Sequence, residues 1–140
     1  KWGISSRYNK NDLIERIRMV KRYSDRISIY NEDAIDFLTS KVNNSSKKSL
    51  IYIDPPYYAK GNNLYQDDYK KDDHFKLSRQ IQLIDAYWIL TYDFHDDIRR
   101  YYKKFRQREY SLNYSASKRV KGKELMIFSH SLKIPRGSII

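Results

Sequence analysis

"LIYIDPPYYAKG", residues 50 to 61, decides how this chain is read. Four apolar or aromatic residues, Leu50, Ile51, Tyr52 and Ile53, run straight into an acid, two prolines and two tyrosines. A segment that is apolar on both faces is expected of a strand in the middle of a covered parallel sheet. Pro55 and Pro56 cannot continue a central ladder, so the strand stops at Asp54, and each proline drives the residue before it toward an extended conformation. The Asp54 carboxylate and the Pro55 carbonyl are thereby presented as two fixed acceptors, with the flat ring of Tyr57 beside them. In open α/β sheets, ligands bind at the carboxyl ends of the strands, which makes this strand end a candidate site. Without its flanks, Asp-Pro-Pro reads equally well as a strand terminus and turn.

Working outward, "DLIERIRMVKRY" (12–23) puts Leu13, Ile14, Ile17 and Val20 on one helical face, with Asp12 and Glu15 as a capping box. "RISIY" (26–30) alternates as a strand, and "NEDAIDFLTSK" (31–41) opens a short helix with Ala34, Ile35 and Leu38 turned inward. The polar loop "VNNSSKKS" (42–49) leads into the decisive strand. Beyond it, Leu77, Ile81 and Ile84 recur at helical spacing, "YWILTY" (87–92) is a second two-sided apolar strand, and "DDIRRYYKKF" (96–105) spaces Ile98, Tyr101 or Tyr102, and Phe105 as a helix. Tyr110, Leu112 and Tyr114 alternate in "EYSLNYSAS" (109–117), a basic turn "KRVKGK" (118–123) follows, and "ELMIFSH" (124–130) returns as a strand. Helix alternating with strand and closing in a hairpin predicts an α/β fold, an open mixed sheet with an antiparallel edge.

Charge narrows the partner. Lys and Arg number 28 against 17 Asp and Glu, a net charge of +11, which makes a polyanion the default ligand. The 14 tyrosines add rings between cations on which bases can stack, worth about 1–3 kcal/mol per base, although tyrosine is also an ordinary strand residue. The absence of cysteine excludes disulfides, thiolate chemistry and cysteine-based zinc sites. No apolar run approaches the roughly 18 residues needed to span a bilayer, and the N-terminus has no signal-peptide pattern, so no membrane partner and a cytoplasmic location are expected.

Two acceptors and a ring suit the exocyclic amine of a nucleobase, a poor nucleophile because its lone pair is conjugated into the ring. Accepting hydrogen bonds from both N–H groups favours a more tetrahedral nitrogen, while a stacked ring holds the base in place. Reaching that nitrogen in a duplex means flipping the nucleotide out, at a cost of a few kcal/mol that stacking on Tyr57 partly offsets.

"IYIDPPYY" (51–58) resembles the Asp-Pro-Pro-Tyr motif of the amino-methyltransferases, and its surroundings resemble the Dam-type, alpha-class DNA adenine N6-methyltransferases. "NKNDLIERI", "ISIYNEDAIDFL", "DHFKLSRQI", "WILTYDFHDDIRRYY" and "KGKELMIFSH" stand in the order of that family's C-terminal portion, over about residues 9 to 130. The resemblance implies the C-terminal part of a Rossmann-like, S-adenosylmethionine-dependent methyltransferase fold, a mixed sheet with an antiparallel terminal hairpin. It implies a catalytic Asp54-Pro55-Pro56-Tyr57 motif: Asp54 and the Pro55 carbonyl on the target amine, Tyr57 stacked on a flipped adenine of double-stranded DNA, and Asp54 also against S-adenosylmethionine. Asp33 matches the acidic position that contacts the cofactor's adenine; the plain alternative is a helix N-cap, and the two roles are compatible. Lys118, Arg119, Lys121 and Lys123 match a region near the DNA and are expected to contact phosphates, a solvated hairpin tip being the plain alternative.

The family's cofactor site needs a glycine-rich loop, and the four glycines here, Gly3, Gly61, Gly122 and Gly137, are too far apart to build one. The resemblance therefore divides the chain into the tail of a target-recognition insertion (1–10), the C-terminal part of the catalytic domain (11–132) and a C-terminal tail (133–140). It implies an enzyme that is inactive until the N-terminal half of the same protein, or a partner chain, supplies the first strands. In that fold those strands lie between 26–30 and 50–54. Restriction-modification and nucleoid-associated roles are what the family suggests. The alternatives are an RNA adenine or DNA cytosine amino-methyltransferase, and a non-catalytic nucleic-acid-binding remnant. Asp67, Asp68, Asp72, Asp73 and His74 are interrupted by lysines and read as a solvated loop and helix cap, so no metal is expected. Tyr92 or Asp93, ending the second strand, lines the target pocket or simply closes the sheet.

Overall fold

Four strands form one mixed sheet in this computed structural model, which describes residues 9–42, 48–59, 69–114 and 120–135. They are β1 (Leu50–Ile53), β2 (Tyr87–Asp93), β3 (Arg106–Tyr114) and β4 (Val120–Phe128), in the spatial order β1-β2-β4-β3. β1 runs parallel to β2, with Leu50 opposite Tyr87 and Ile53 opposite Leu90. β4, the last strand in sequence, lies antiparallel between β2 and β3. The chain is thus α/β with a mixed sheet and an antiparallel terminal hairpin.

The chain divides into two units, Lys1–Glu32 and Asp33–Ile140. The first carries α1 (Lys10–Lys21) and a 3₁₀ turn at Ser24–Arg26. The Asn9 side chain caps α1 by accepting from the Asp12 N–H, which places the cap three residues before the expected capping box; Asp12 instead pairs with Arg16 at 3.0 Å. Asn9 wins because its extended backbone leaves the amide side chain free to reach the third helical N–H. None of the residues of α1 is buried, and its apolar stripe of Leu13, Ile17 and Val20 stays exposed. Residues 27–30, expected as a strand, are irregular, and Ile29 is 89% exposed. Alternation predicts a strand only where a neighbour takes the backbone hydrogen bonds, and no described strand pairs with this segment.

In the second unit, α2 (Ala34–Phe37) continues into a π-helical turn, Leu38–Val42, whose end residues are both buried. α3 (Lys71–Ile81) and α4 (Asp96–Tyr101) complete the described helices. The core forms where Trp88, Leu90 and Tyr92 of β2 and Leu125 and Ile127 of β4 meet Leu77 and Ile81 of α3 and Ile98 and Tyr102 near α4. Leu90 pairs with Ile127 and Tyr92 with Leu125, so one side of the ladder is continuously apolar and the helices bury it. Trp88 closes the end of the core, its ring 4.9 Å from that of Phe105, which in turn stacks on His130 at 4.5 Å. Where α4 ends, Gln107 donates to the carbonyl of Arg99 and to that of Tyr102, which also accepts from the Phe105 N–H at 2.9 Å.

β1 departs from the sequence reading. It lies at the edge of the described sheet rather than in its middle, and Leu50 and Tyr52 are 59% and 62% exposed while Ile51 and Ile53 are half-buried. Its two-sided apolar pattern is therefore matched by cover on one side only. The terminal hairpin is also longer than expected. The sequence pattern puts Lys121 and Lys123 in a turn, but Val120–Lys123 pairs with Ser111–Tyr114, so both lysines belong to β4.

Two core substitutions separate packing from polarity. Leu90 is fully buried, so Leu90→Ala is expected to lower stability by about 2–5 kcal/mol. The Tyr102 hydroxyl is buried without a hydrogen-bond partner among the described residues, so Tyr102→Phe removes an uncompensated polar group and is expected to leave the thermal midpoint unchanged or raise it. Thermal denaturation of both variants checks this; a clear loss in Tyr102→Phe contradicts the packing described.

Candidate functional site

The parallel pairing of β1 with β2 brings two strand ends together, each finishing on an acid. Asp54 follows β1 directly and is exposed, whereas Asp93 ends β2 and is only 6% exposed. Between them stands Thr91, whose hydroxyl donates to Asp54 Oδ1 at 2.7 Å. Thr91 Oγ1 lies 3.1 Å from the Tyr52 hydroxyl. A threonine carries one hydroxyl proton. With that proton on Asp54, Tyr52 donates to Thr91, and a chain from Tyr52 through Thr91 fixes one oxygen of Asp54. The other oxygen has no partner among the described residues.

Asp93 anchors the two residues immediately after the motif. Its Oδ1 accepts the Tyr58 N–H at 2.7 Å and its Oδ2 accepts the Ala59 N–H at 2.9 Å. Tyr58 is held again through its hydroxyl, which donates to Asp97 at 2.7 Å, and its ring lies 4.4 Å from His95 and 5.0 Å from His74. Burial first, and then the Asp97 bond, push the Tyr58 hydroxyl far above its ordinary range, so it stays a donor. The two tyrosines after the prolines thus divide their roles. Tyr58 is buried and bolted to β2 and α4, while Tyr57 is half-buried and makes no hydrogen bond or ring contact with another described residue. A held backbone beside an uncommitted ring is a platform on which a flat ligand can stack.

Opposite Asp93 on the ladder stands Glu124, also 6% exposed, whose Oε2 accepts from the Tyr110 hydroxyl at 2.7 Å. Like charges facing each other across a ladder are destabilising, and here each acid has donors of its own. The Asp54 and Tyr52 side chains lie close enough to Tyr110 to help hold its hydroxyl protonated, after burial and the Glu124 bond. Tyr52, Asp54, Thr91, Tyr110 and Glu124 thus form one polar neighbourhood at the carboxyl end of the parallel strands.

Tyr92 belongs elsewhere: it is 2% exposed and its hydroxyl lies 2.9 Å from His74 Nδ1 inside the core. Asp33 caps α2, its Oδ1 accepting from the N–H groups of Ile35 and Asp36 at 2.8 and 3.4 Å. Asp73 is likewise a cap, accepting from the Lys70 N–H at 3.0 Å, and His74 turns inward away from it. Among the described residues no three His, Asp or Glu side chains converge as metal ligands.

Of the four basic hairpin residues, Lys118 and Arg119 lie outside the described residues, and Lys121 is placed in β4 by its backbone pairing with Asn113. Lys123 sits over the Phe94 ring at 5.7 Å, and Arg99 of α4 sits over the same ring at 5.7 Å. Phe94 directly follows Asp93, so the ring that both cations cover is the residue next to the acid that holds the turn, and Arg99 also pairs with Glu109 at 3.2 Å. A shallow cleft along α4, lined by Asp96, Arg99, Arg100 and Lys103, extends the basic surface. Arg99 and Phe94 escape the sequence reading, as do Thr91 and Glu124; a hydroxyl or an acid within an otherwise apolar strand is the available signal.

No protein-family profile and no curated protein matches this chain. No helix among the described residues is long and apolar enough to cross a membrane.

His74 gives the neighbourhood a pH dependence. It is 1% exposed, and burial holds its imidazole below the ordinary value of 6.5 despite the nearby Asp93 and Asp73. Below pH 6.5 the unfolded chain therefore binds a proton that the folded chain refuses, so stability is full above that value and falls as the pH drops through it. Melting from about pH 7 to about pH 5 is expected to show a declining midpoint that His74→Gln flattens. An equal decline in the variant contradicts the assignment.

Proposed function

We propose that this chain is the amine-binding part of an S-adenosylmethionine-dependent DNA adenine N6-methyltransferase with a Rossmann-like fold. The observation that carries the reading is the turn after β1. One oxygen of Asp54 is fixed by Thr91, the other oxygen and the Tyr57 ring have no partner among the described residues, and the prolines hold the backbone. The strand order, with β4 inserted antiparallel between β2 and β3, agrees with the terminal hairpin that the resemblance to Dam-type enzymes implies.

In this reading a flipped adenine stacks on Tyr57, and its N6 amine donates one hydrogen bond to Asp54 and one to the Pro55 carbonyl. The Asp54 carboxylate is held by Thr91 before the base arrives, which lowers the reorganisation needed as the nitrogen becomes tetrahedral and its lone pair is freed. Thr91 keeps the Asp54 carboxylate from rotating away from the amine. In the same reading Lys123 and Arg99, which share the Phe94 ring, take phosphates of the strand from which the base is drawn, Arg99 exchanging its pairing with Glu109 for a phosphate. The net charge of +11 favours the same partner.

S-adenosylmethionine supplies the methyl group in such a reaction, and the described residues do not by themselves make its site. Asp33 spends one oxygen on the α2 cap, and no glycine-rich loop is present in the sequence to let a backbone approach the cofactor. The edge position of β1 is where the fold's first strands would pair, so the donor side belongs to a further segment or partner chain.

Two experiments test this. Isothermal titration of the 140-residue chain with S-adenosylmethionine is expected to show no micromolar binding, and such binding would overturn the division of labour. In the natural polypeptide containing this chain, Asp54→Ala is expected to abolish methyl transfer from labelled cofactor to duplex DNA while gel-shift affinity for DNA is retained. An Asp54→Ala protein that keeps its full biological activity favours the non-catalytic remnant instead.

A further inference from the structure

We propose that Asp93 is the positioning residue of the Asp-Pro-Pro-Tyr turn, its two carboxylate oxygens setting the orientation of the Pro55 carbonyl and the Tyr57 ring through the backbone of Tyr58 and Ala59. The inference rests on the reading of that turn as the adenine-binding element.

The geometry suits a carboxylate. Two successive backbone N–H groups, 2.7 and 2.9 Å from Oδ1 and Oδ2, point at one side chain, and a carboxylate gives each of them an acceptor oxygen of its own. Asparagine would present one acceptor and turn an NH₂ donor toward the second N–H. The bonds span 35 and 34 residues of sequence, so they tie the turn to β2 rather than to itself. Asp93 is 6% exposed and faces a second buried acid, Glu124, across the ladder. A buried carboxylate is an expensive way to hold a surface loop, because burying charge is costly and a neutral side chain or water holds most loops. Its cost is understandable where placement of the residues just before it matters. Tyr57 is one residue from the first bound N–H, and Pro55 is three, with a proline between them that leaves little freedom to absorb an error. Misplacing a catalytic group by about 1 Å costs on the order of a hundredfold in rate, so loosening this clamp is expected to be felt in turnover.

The test uses the natural polypeptide containing this chain, with duplex DNA as substrate. Asp93→Asn is expected to lower kcat for methyl transfer at least ~10-fold, with DNA affinity little changed and Asp93→Glu recovering part of the rate. A merely structural role would instead lower the thermal midpoint and leave kcat intact at temperatures where the variant is folded. Should Asp93→Asn fail to fold, amide exchange in the wild-type protein decides: Tyr58 and Ala59 N–H groups exchanging as freely as those of an open loop overturn the clamp, and slow exchange at both is the expected result. A wild type that binds both S-adenosylmethionine and duplex DNA yet transfers no methyl group overturns the functional reading and this role with it. An active wild type with an equally active Asp93→Asn overturns the role of Asp93 alone.

Discussion

The site depends on the parallel pairing of β1 with β2. That register, Ile53 opposite Leu90, brings Asp54 beside Thr91 and places the turn after Pro56 within reach of the Asp93 carboxylate. Asp54, Thr91, Asp93 and Tyr57 all lie at the carboxyl end of these two strands, where a parallel sheet gathers the loops that a ligand meets. The core below serves the same end. Trp88, Leu90 and Tyr92 are packed against α3 and α4, so β2 is the rigid member and β1, an edge strand of four residues, is located by it.

Rigidity here is built from polar bonds that cross long stretches of sequence. Tyr52, Thr91 and Asp54 form one chain; Tyr58, Asp93 and Asp97 form another, and Tyr110 with Glu124 a third. Buried polar groups are favourable only when their partners are supplied, and each of these acids has a named donor. The groups without a hydrogen-bond partner among the described residues are then informative by contrast: one oxygen of Asp54 and the side chain of Tyr57, flanking the two prolines in sequence.

Much of this is legible in the sequence. The two-sided apolar runs ending at Asp54 and Asp93, the helical spacing of Leu77 and Ile81, and the terminal hairpin all come from periodicity, because the burial of one face decides them. The misses share a cause. Residues 27–30 and β1 are read from their own side chains, yet whether a segment pairs, and on how many sides it is covered, depends on neighbours that local pattern does not contain. The clamp is hidden for the same reason: "LTYD" looks like any strand closure until the register shows which N–H groups face its acid. The identity of the acid is nevertheless a clue, since "IYID" and "LTYD" end in the same way and lie side by side.

The central claim is that the open acceptors after β1 receive the N6 amine of adenine. It is tested most directly by letting the natural polypeptide methylate duplex DNA with labelled S-adenosylmethionine, digesting the product to nucleosides and identifying the one that carries the label. Label is expected in N6-methyladenine alone, with no transfer to RNA. Label in a cytosine or in RNA, or no label from a folded protein that binds both cofactor and DNA, would contradict it.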